Sequence, residues 1–279
     1  MTPTNARGFS SLPVELYLEI ASHYGSTHVS PKQQTIYDGK SFERRATLLA
    51  LSQTCVKLRG IFLPLAWQQL ELREAQEFAS GLTRLLNVMT LYNPALSSYV
   101  KAVNVVVPNN PSTTTFKELA YFLRLLPNLL TIQLLNVQDK FATAFSEAFN
   151  YKKCILPRVR TLLIADTAIH LVACCPKVRN VTAVGSCKAR FVRTLASTCQ
   201  ESLFEKKGAS VVEHSPQVIS ISHYFCDGDI MTEEIKRFTA LRHLYRLKIA
   251  TAETFDMTIG SAEETEDHLV LRHVNVNLV

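Results

Sequence analysis

LPNLLTIQL at residues 126–134, LPRVRTLLI at 156–164 and CPKVRNVTA at 175–183 share one pattern, in which an apolar residue two positions after a proline is followed by two more at +3 and +5. The +3 and +5 positions have the same parity, so on a strand they face one side while the residue between them faces the other. The triplet occurs eight times: Trp67/Leu70/Leu72, Val100/Val103/Val105, Leu129/Ile132/Leu134, Val159/Leu162/Ile164, Val178/Val181/Ala183, Val218/Ile221/His223, Leu244/Leu247/Ile249 and Leu271/Val274/Val276. Four copies begin two residues after a proline, at Pro127, Pro157, Pro176 and Pro216. Ala183 and His223 are the weakest third positions. The starts lie 33, 29, 30, 19, 40, 26 and 27 residues apart, and helical patterns fill several intervals, at Phe78 to Met89, Phe116 to Leu126, Phe141 to Phe149 and Phe191 to Glu205. A strand and a helix repeated every 20 to 40 residues or so predict stacked units that bury their apolar sides only against neighbours. The expected class is α/β, an irregular solenoid.

Upstream the texture is different. SLPVELYLEIASHY, residues 11–24, predicts a helix over 12–24, since Pro13 suits a first turn and Glu15 and Glu19 lie in the half that the helix dipole favours for acids. Wound at about 100° per residue, its apolar side chains cover roughly 240°, where a surface helix needs an apolar arc somewhat above 100°. GSTHVSPKQQTIYDGK at 25–40 is a polar loop. The helical pattern then resumes in RRATLLALSQTCVKLRGIFLPLAW, where Leu48, Leu51, Cys55, Leu58 and Phe62 recur at spacings of three and four and Gly60 and Pro64 are expected to interrupt or end the helix. Leu49, Ala50, Val56 and Ile61 fall off that stripe. Both helical segments therefore carry an apolar face beyond the one a core contact uses.

The 279 residues are 47% hydrophobic and 19% charged, a composition of globular chains that suggests two parts. No basic leader followed by an apolar run opens the sequence, and no stretch approaches about 18 uninterrupted apolar residues. The seven cysteines include no C-x-x-C pair and read as small buried apolar residues in a reducing, cytoplasmic or nuclear setting. His170, Cys174, Cys175 and Cys187 lack the spacing that presets a tetrahedral metal site, so no metal is expected. With no G-x-S-x-G, H-E-x-x-H, Walker or G-x-G-x-x-G motif, neither catalysis nor a cofactor is expected.

The N-terminal residues resemble an F-box. The matching positions are Leu12, Pro13, Glu15, Leu16, Ile20, Leu49, Leu51, Thr54, Cys55, Leu58, Arg59 and Trp67. The resemblance implies a tail at 1–8, an F-box at 9–66 with a long loop at 25–44, and a substrate-binding domain at 67–279. In rhythm, that second part resembles leucine-rich-repeat receptors. Their usual Asn or Cys ladder is missing three residues beyond Leu134, Ile164 and Ala183, where Val137, Thr167 and Ser186 stand. The chain stops just after the eighth triplet with no capping unit, so an incomplete chain or a weakly held last unit is expected.

An F-box implies docking on the Skp adaptor and, through it, on a cullin. Here the docking residues would be Leu12, Pro13, Leu16, Ile20, Leu49, Leu51 and Leu58, and the repeat domain would hold a protein substrate for ubiquitin transfer. A scaffold acting outside ubiquitin transfer is the alternative within the same resemblance.

Charge supplies a second candidate. Lys152 to Arg193 holds nine basic residues and the single acid Asp166, whereas Ala252 to Asp267 holds six acids and no Lys or Arg. Arg158, Arg160, Lys177 and Arg179 occupy matching places in adjacent units, so stacking would align them on one side. Such a patch suits an acidic or phosphorylated segment. Nucleic acid is the weaker alternative, because Phe191 is the lone aromatic residue of the band.

Overall fold

The computed structural model describes residues 12–23, 40–72, 78–150, 154–184 and 191, together with strands at 220–225, 246–251, 255–259 and 274–278. The expected tail at 1–8, nearly all of the loop at 25–40 and, apart from Phe191, the expected helix at 191–205 lie outside the described residues.

Each triplet coincides with a strand. β1 (Gln69–Leu72), β2 (Ala102–Val106), β3 (Thr131–Leu135), β4 (Thr161–Ala165), β5 (Asn180–Val184), β6 (Ser220–Phe225) and β7 (Arg246–Thr251) form one parallel sheet in sequence order. Equivalent triplet positions are in register: Leu70 stands beside Val103, Val103 beside Ile132, Ile132 beside Leu162, and Leu162 beside Val181. From β1 to β5 all three triplet positions are buried, including Ala183, so its small size does not remove it from the pattern.

The recurring proline has a local cause. Leu129, Val159 and Val178 donate their N–H groups to the carbonyls of Leu126, Leu156 and Cys175, at 3.4, 3.4 and 3.1 Å, which closes a turn around each proline. The fixed φ of proline suits the second residue of such a turn. The strand ladder begins just after it, each unit placing two N–H groups on one carbonyl of the unit before: Leu130 and Thr131 on Lys101, Arg160 and Thr161 on Leu130, Arg179 and Asn180 on Arg160.

Helices α4 (Phe78–Asn87), α5 (Thr113–Arg124) and α6 (Ala142–Asn150) fill the first three connections. The Ser112 hydroxyl accepts the Thr115 N–H at 3.1 Å and so caps α5, satisfying a donor that the first turn leaves unpaired. Phe116, Phe145 and Phe149 bind the helical layer together, with Phe116 edge-on to Phe145 at 5.5 Å and Phe145 against Phe149 at 4.5 Å. The shortest connection, β4 to β5, uses a nine-residue 3-10 helix, Asp166–Cys174. Its rise of about 2.0 Å per residue, against about 1.5 Å in an α-helix, spans the unit with fewer residues.

Three expectations are corrected. The eighth triplet does not extend the main sheet: β9 (Val274–Leu278) pairs antiparallel with β8 (Phe255–Ile259), a strand that the triplet pattern does not mark. Upstream, α1 (Val14–His23) is followed by two helices, α2 (Lys40–Ser52) and α3 (Val56–Trp67), so residues 40–44 of the expected loop are helical. The apolar stripe runs on across the break between α2 and α3, but Gln53 and Thr54 close tight turns on the Ala50 and Leu51 carbonyls. There the Ser52 and Thr54 hydroxyls also donate to the Leu49 and Leu51 carbonyls. Cys55 then adopts an extended backbone. Finally, Pro64 lies inside α3, which continues to Trp67.

Trp67 joins the two regions. It is the last residue of α3 and the first of the first triplet, and the Arg45 guanidinium of α2 lies 5.1 Å from its ring centroid. Burial pushes the Arg45 pKa down, with the nearby Glu71 carboxylate on β1 opposing the shift. α3 also packs against β1 and the 3-10 helix Pro94–Tyr99.

Candidate functional site

The first candidate surface is built on α1. Tyr17 and Ala21, one turn apart, are buried. Tyr17 meets Phe62 of α3 edge-on at 5.7 Å, and the Lys57 ammonium lies 5.7 Å from its ring centroid. Lys57 also donates to the Leu12 carbonyl at 3.3 Å, so its side chain ties the first turn of α3 to the residues just before α1.

This inward seam is narrow. Val14 and Leu18 flank it on one side and Leu16 on the other, at 46, 47 and 47% exposure, and Val56 at the start of α3 is 88% exposed. The polar back of the helix carries the exposed Glu19 and His23, 3.4 Å apart. Of the residues expected to dock, Pro13 and Leu16 are exposed and Ile20 is half-buried. Leu12, Leu49 and Leu51 are partly buried against the core. Leu58 is fully interior and closes the core rather than facing outward, a correction that follows from its place on the same face of α3 as Phe62. Val14, Leu18 and Val56 take its place on the exposed surface.

The second surface is the N-terminal edge of the parallel sheet. Arg160 and Arg179 occupy equivalent positions, joined by the Arg179 N–H to Arg160 carbonyl bond of 2.8 Å, and Lys101 stands two units earlier in the same row. Arg158 and Lys177 follow the prolines of their turns, level with Asn128. The Arg158 guanidinium donates to the Asn128 side-chain oxygen, and Asn128 donates to the Ser98 carbonyl at 2.7 Å. Arg158, Arg160, Lys177 and Arg179 are therefore brought together as two short exposed rows. Among the described residues none of the four is ion-paired with an acid.

At the opposite strand ends lies a polar network that the sequence reading misses. Asn136, at φ 60°, donates to the Val107 carbonyl of the preceding unit at 2.8 Å, and the Thr167 hydroxyl donates likewise to the Val137 carbonyl. These two side-chain bonds each reach the chain segment that follows the preceding strand; Asn136 stands one residue before the position three beyond Leu134, and Thr167 stands at the position three beyond Ile164. The left-handed backbone, which asparagine tolerates better than most residues, is the signal that sequence spacing does not carry. Gln138 and Lys140 extend the network to Asn109 and Asn110.

On the sheet face away from the triplets, Glu71, Asn104 and Gln133 stand side by side in register. Asn104 and Gln133 are buried, and the Asn104 amide nitrogen makes no hydrogen bond.

Cys154, Cys174 and Cys175 are buried, whereas Cys55 is exposed at the start of α3, against the expectation for the cysteines as a set. Among the described residues no cluster of three or more His, Cys, Asp or Glu side chains is placed to hold a metal ion, and no helix is long and apolar enough to cross a membrane. A scan against protein-family models finds no match, and a search of curated proteins finds no similar sequence.

Proposed function

We propose that the chain is a non-catalytic adaptor in which residues 9–66 act as an F-box and residues 67–279 form an irregular leucine-rich-repeat-like solenoid. The F-box docks on a Skp adaptor, and through it on a cullin, while the repeat domain holds a protein target for ubiquitin transfer in the cytoplasm or nucleus. The observation that carries this reading is the exposure of Val14 and Leu18 on one flank of the α1 seam, of Leu16 on the other and of Val56 at the start of α3, left over after Tyr17, Ala21 and Phe62 have closed the small helical core. Exposed apolar side chains of this kind favour a partner that covers them. The target side is supported by the two rows of Arg158, Arg160, Lys177 and Arg179, whose charge suits an acidic or phosphorylated segment. The adaptor needs no bond chemistry of its own, because tethering a target beside a ubiquitin-loaded enzyme raises the effective concentration of its lysines.

Co-expression with a Skp adaptor tests the proposal. A soluble complex is expected, with affinity at least about tenfold weaker for Leu16→Asp with Val56→Asp, a loss of about 1.4 kcal/mol. The variant Leu91→Asp, which alters an exposed apolar residue on the segment Val88–Tyr92, leaves binding unchanged. Failure to form a complex, or a complex indifferent to the double substitution, overturns the reading.

A further inference from the structure

We infer that the N-terminal edge of the sheet is a mixed cationic and apolar strip, in which Leu130 stands among Lys101, Arg160 and Arg179 and Asn128 positions Arg158, and that it takes an acidic peptide segment carrying an apolar side chain between its acids. The inference deepens the proposed function by naming the class of target, and it rests on the reading of the basic rows as the target side.

The backbone fixes the first row. Leu130 donates its N–H to the Lys101 carbonyl, Arg160 to that of Leu130 and Arg179 to that of Arg160, each at 2.8 Å. The strands that follow are in register from Ala102 through Thr131 and Thr161 to Asn180, so consecutive units present Lys101, Leu130, Arg160 and Arg179 at one level. All four are exposed. Leu130 is the exception in charge, a large apolar side chain 37% exposed between two cations. The core does not need it there, because its neighbour Leu129 fills the buried triplet position at 2% exposure.

The second row, two residues earlier in each unit, holds Asn128, Arg158 and Lys177. Arg158 is held in place: its guanidinium donates to the Asn128 side-chain oxygen, and the Asn128 amide is anchored on the Ser98 carbonyl at 2.7 Å. A guanidinium already positioned loses less side-chain freedom when it meets an anion. Among the described residues no acid is ion-paired with Lys101, Arg160, Lys177 or Arg179.

The size and chemistry of the strip select its occupant. Three steps of about 4.8 Å between adjacent strands give a length of about 14 Å, and two residues of chain separate the rows by at most about 7 Å. That area matches one peptide segment. Carboxylates or phosphate groups of the segment meet the cations, and an apolar side chain flanked by them covers Leu130. Single-stranded nucleic acid stacks its bases on aromatic side chains, and neither row carries one. A membrane surface calls for a broader apolar face than one leucine.

The test is fluorescence anisotropy of the purified full chain with three labelled peptides of glutamate and serine: one without leucine, one with a leucine between the acids and one with the leucine outside the acidic run. The second is expected to bind at least about fivefold tighter than the other two. Leu130→Ser should abolish that preference and leave the leucine-free peptide unaffected, whereas Arg160→Ala with Arg179→Ala should weaken all three at least about tenfold. Asn128→Ala should weaken binding about threefold in the wild-type background and not at all in Arg158→Ala, an interdependence that a merely structural role would not produce. Equal affinity for the three peptides, a leucine preference that survives Leu130→Ser, or tighter binding of phosphatidylserine vesicles or single-stranded DNA overturns the inference. The wild-type comparison decides the matter even if a variant fails to fold. Equal binding of all three peptides sinks this inference alone, whereas binding of none at low salt sinks the target-side reading with it; neither outcome touches docking on a Skp adaptor, which the co-expression experiment reads separately.

Discussion

Helices α1–α3 and the units around β1–β5 are both rich in apolar residues, yet they dispose of them differently. In the sheet region every triplet position of the first five strands is buried, because each strand is covered by its neighbours and by the helical layer that Phe116, Phe145 and Phe149 lock together. In the helical region Tyr17, Ala21 and Phe62 make a narrow seam, and Val14, Leu16, Leu18 and Val56 remain outside it. A strand in a stack always has a neighbour to cover it, whereas a short helix resting on one partner has only one face to bury. Apolar surplus in the helices is therefore informative about partners, and the same surplus in the strands is informative only about packing.

That contrast can be broken by mutation. Leu162→Ala in β4, at a fully buried site, is expected to cost about 2–5 kcal/mol from lost transfer energy and the cavity left behind. Leu16→Ala is expected to change stability by only about 0.5–1 kcal/mol. Urea unfolding followed by circular dichroism measures both, and equal losses would refute the distinction. Asn136→Ala should cost about 1–2 kcal/mol, since it removes a bond to the preceding unit and leaves a residue less suited to a left-handed backbone; Asn136→Gly should cost less, because the backbone is then unstrained.

Smaller effects sharpen the boundary between the regions. Ser112→Ala should lose about 1 kcal/mol, recovered by Ser112→Asp, as expected of a cap on α5. Arg45→Ala should lose about 0.5–1 kcal/mol through its contact with Trp67 at the junction. Glu19→Gln, which removes the charge from the exposed partner of His23, should cost no more than about 0.5 kcal/mol. A thermal-shift series read beside the urea data would reveal any of these three that behaves like a core substitution.

Much of the sheet was legible in the chain. The +3 and +5 alternation located strands at all eight triplets, and the prolines marked turns whose closing bonds are present at Pro127, Pro157 and Pro176. Their shared register also brought the four basic candidates onto one edge. The pairing of β9 with β8 was not legible, because alternation says which side a residue faces and nothing of which strand lies beside it. Nor was the break at Gln53–Cys55, where the apolar stripe continues unbroken and hydroxyl bonds to the backbone end the helix.

The site followed the same division. That α1 carries more apolar surface than one contact needs was readable from its roughly 240° arc, but the identity of the exposed residues was not. Leu58 went inside and Val56, two residues earlier, stayed out. The cross-unit bonds of Asn136 and Thr167 were likewise hidden, since they depend on a local backbone angle and on a carbonyl about 30 residues away.

By itself the sequence determined periodicity: which residues alternate, which recur once per helical turn, and how often the unit repeats. These are relations between residues a few positions apart, and steric preferences of the backbone impose them wherever the chain goes. The tertiary structure alone decided which strand became whose neighbour, which apolar side chains were left uncovered and which distant carbonyls Asn136 and Thr167 reach. Each of those depends on what distant residues occupy the adjoining space, and no spacing along the chain records that.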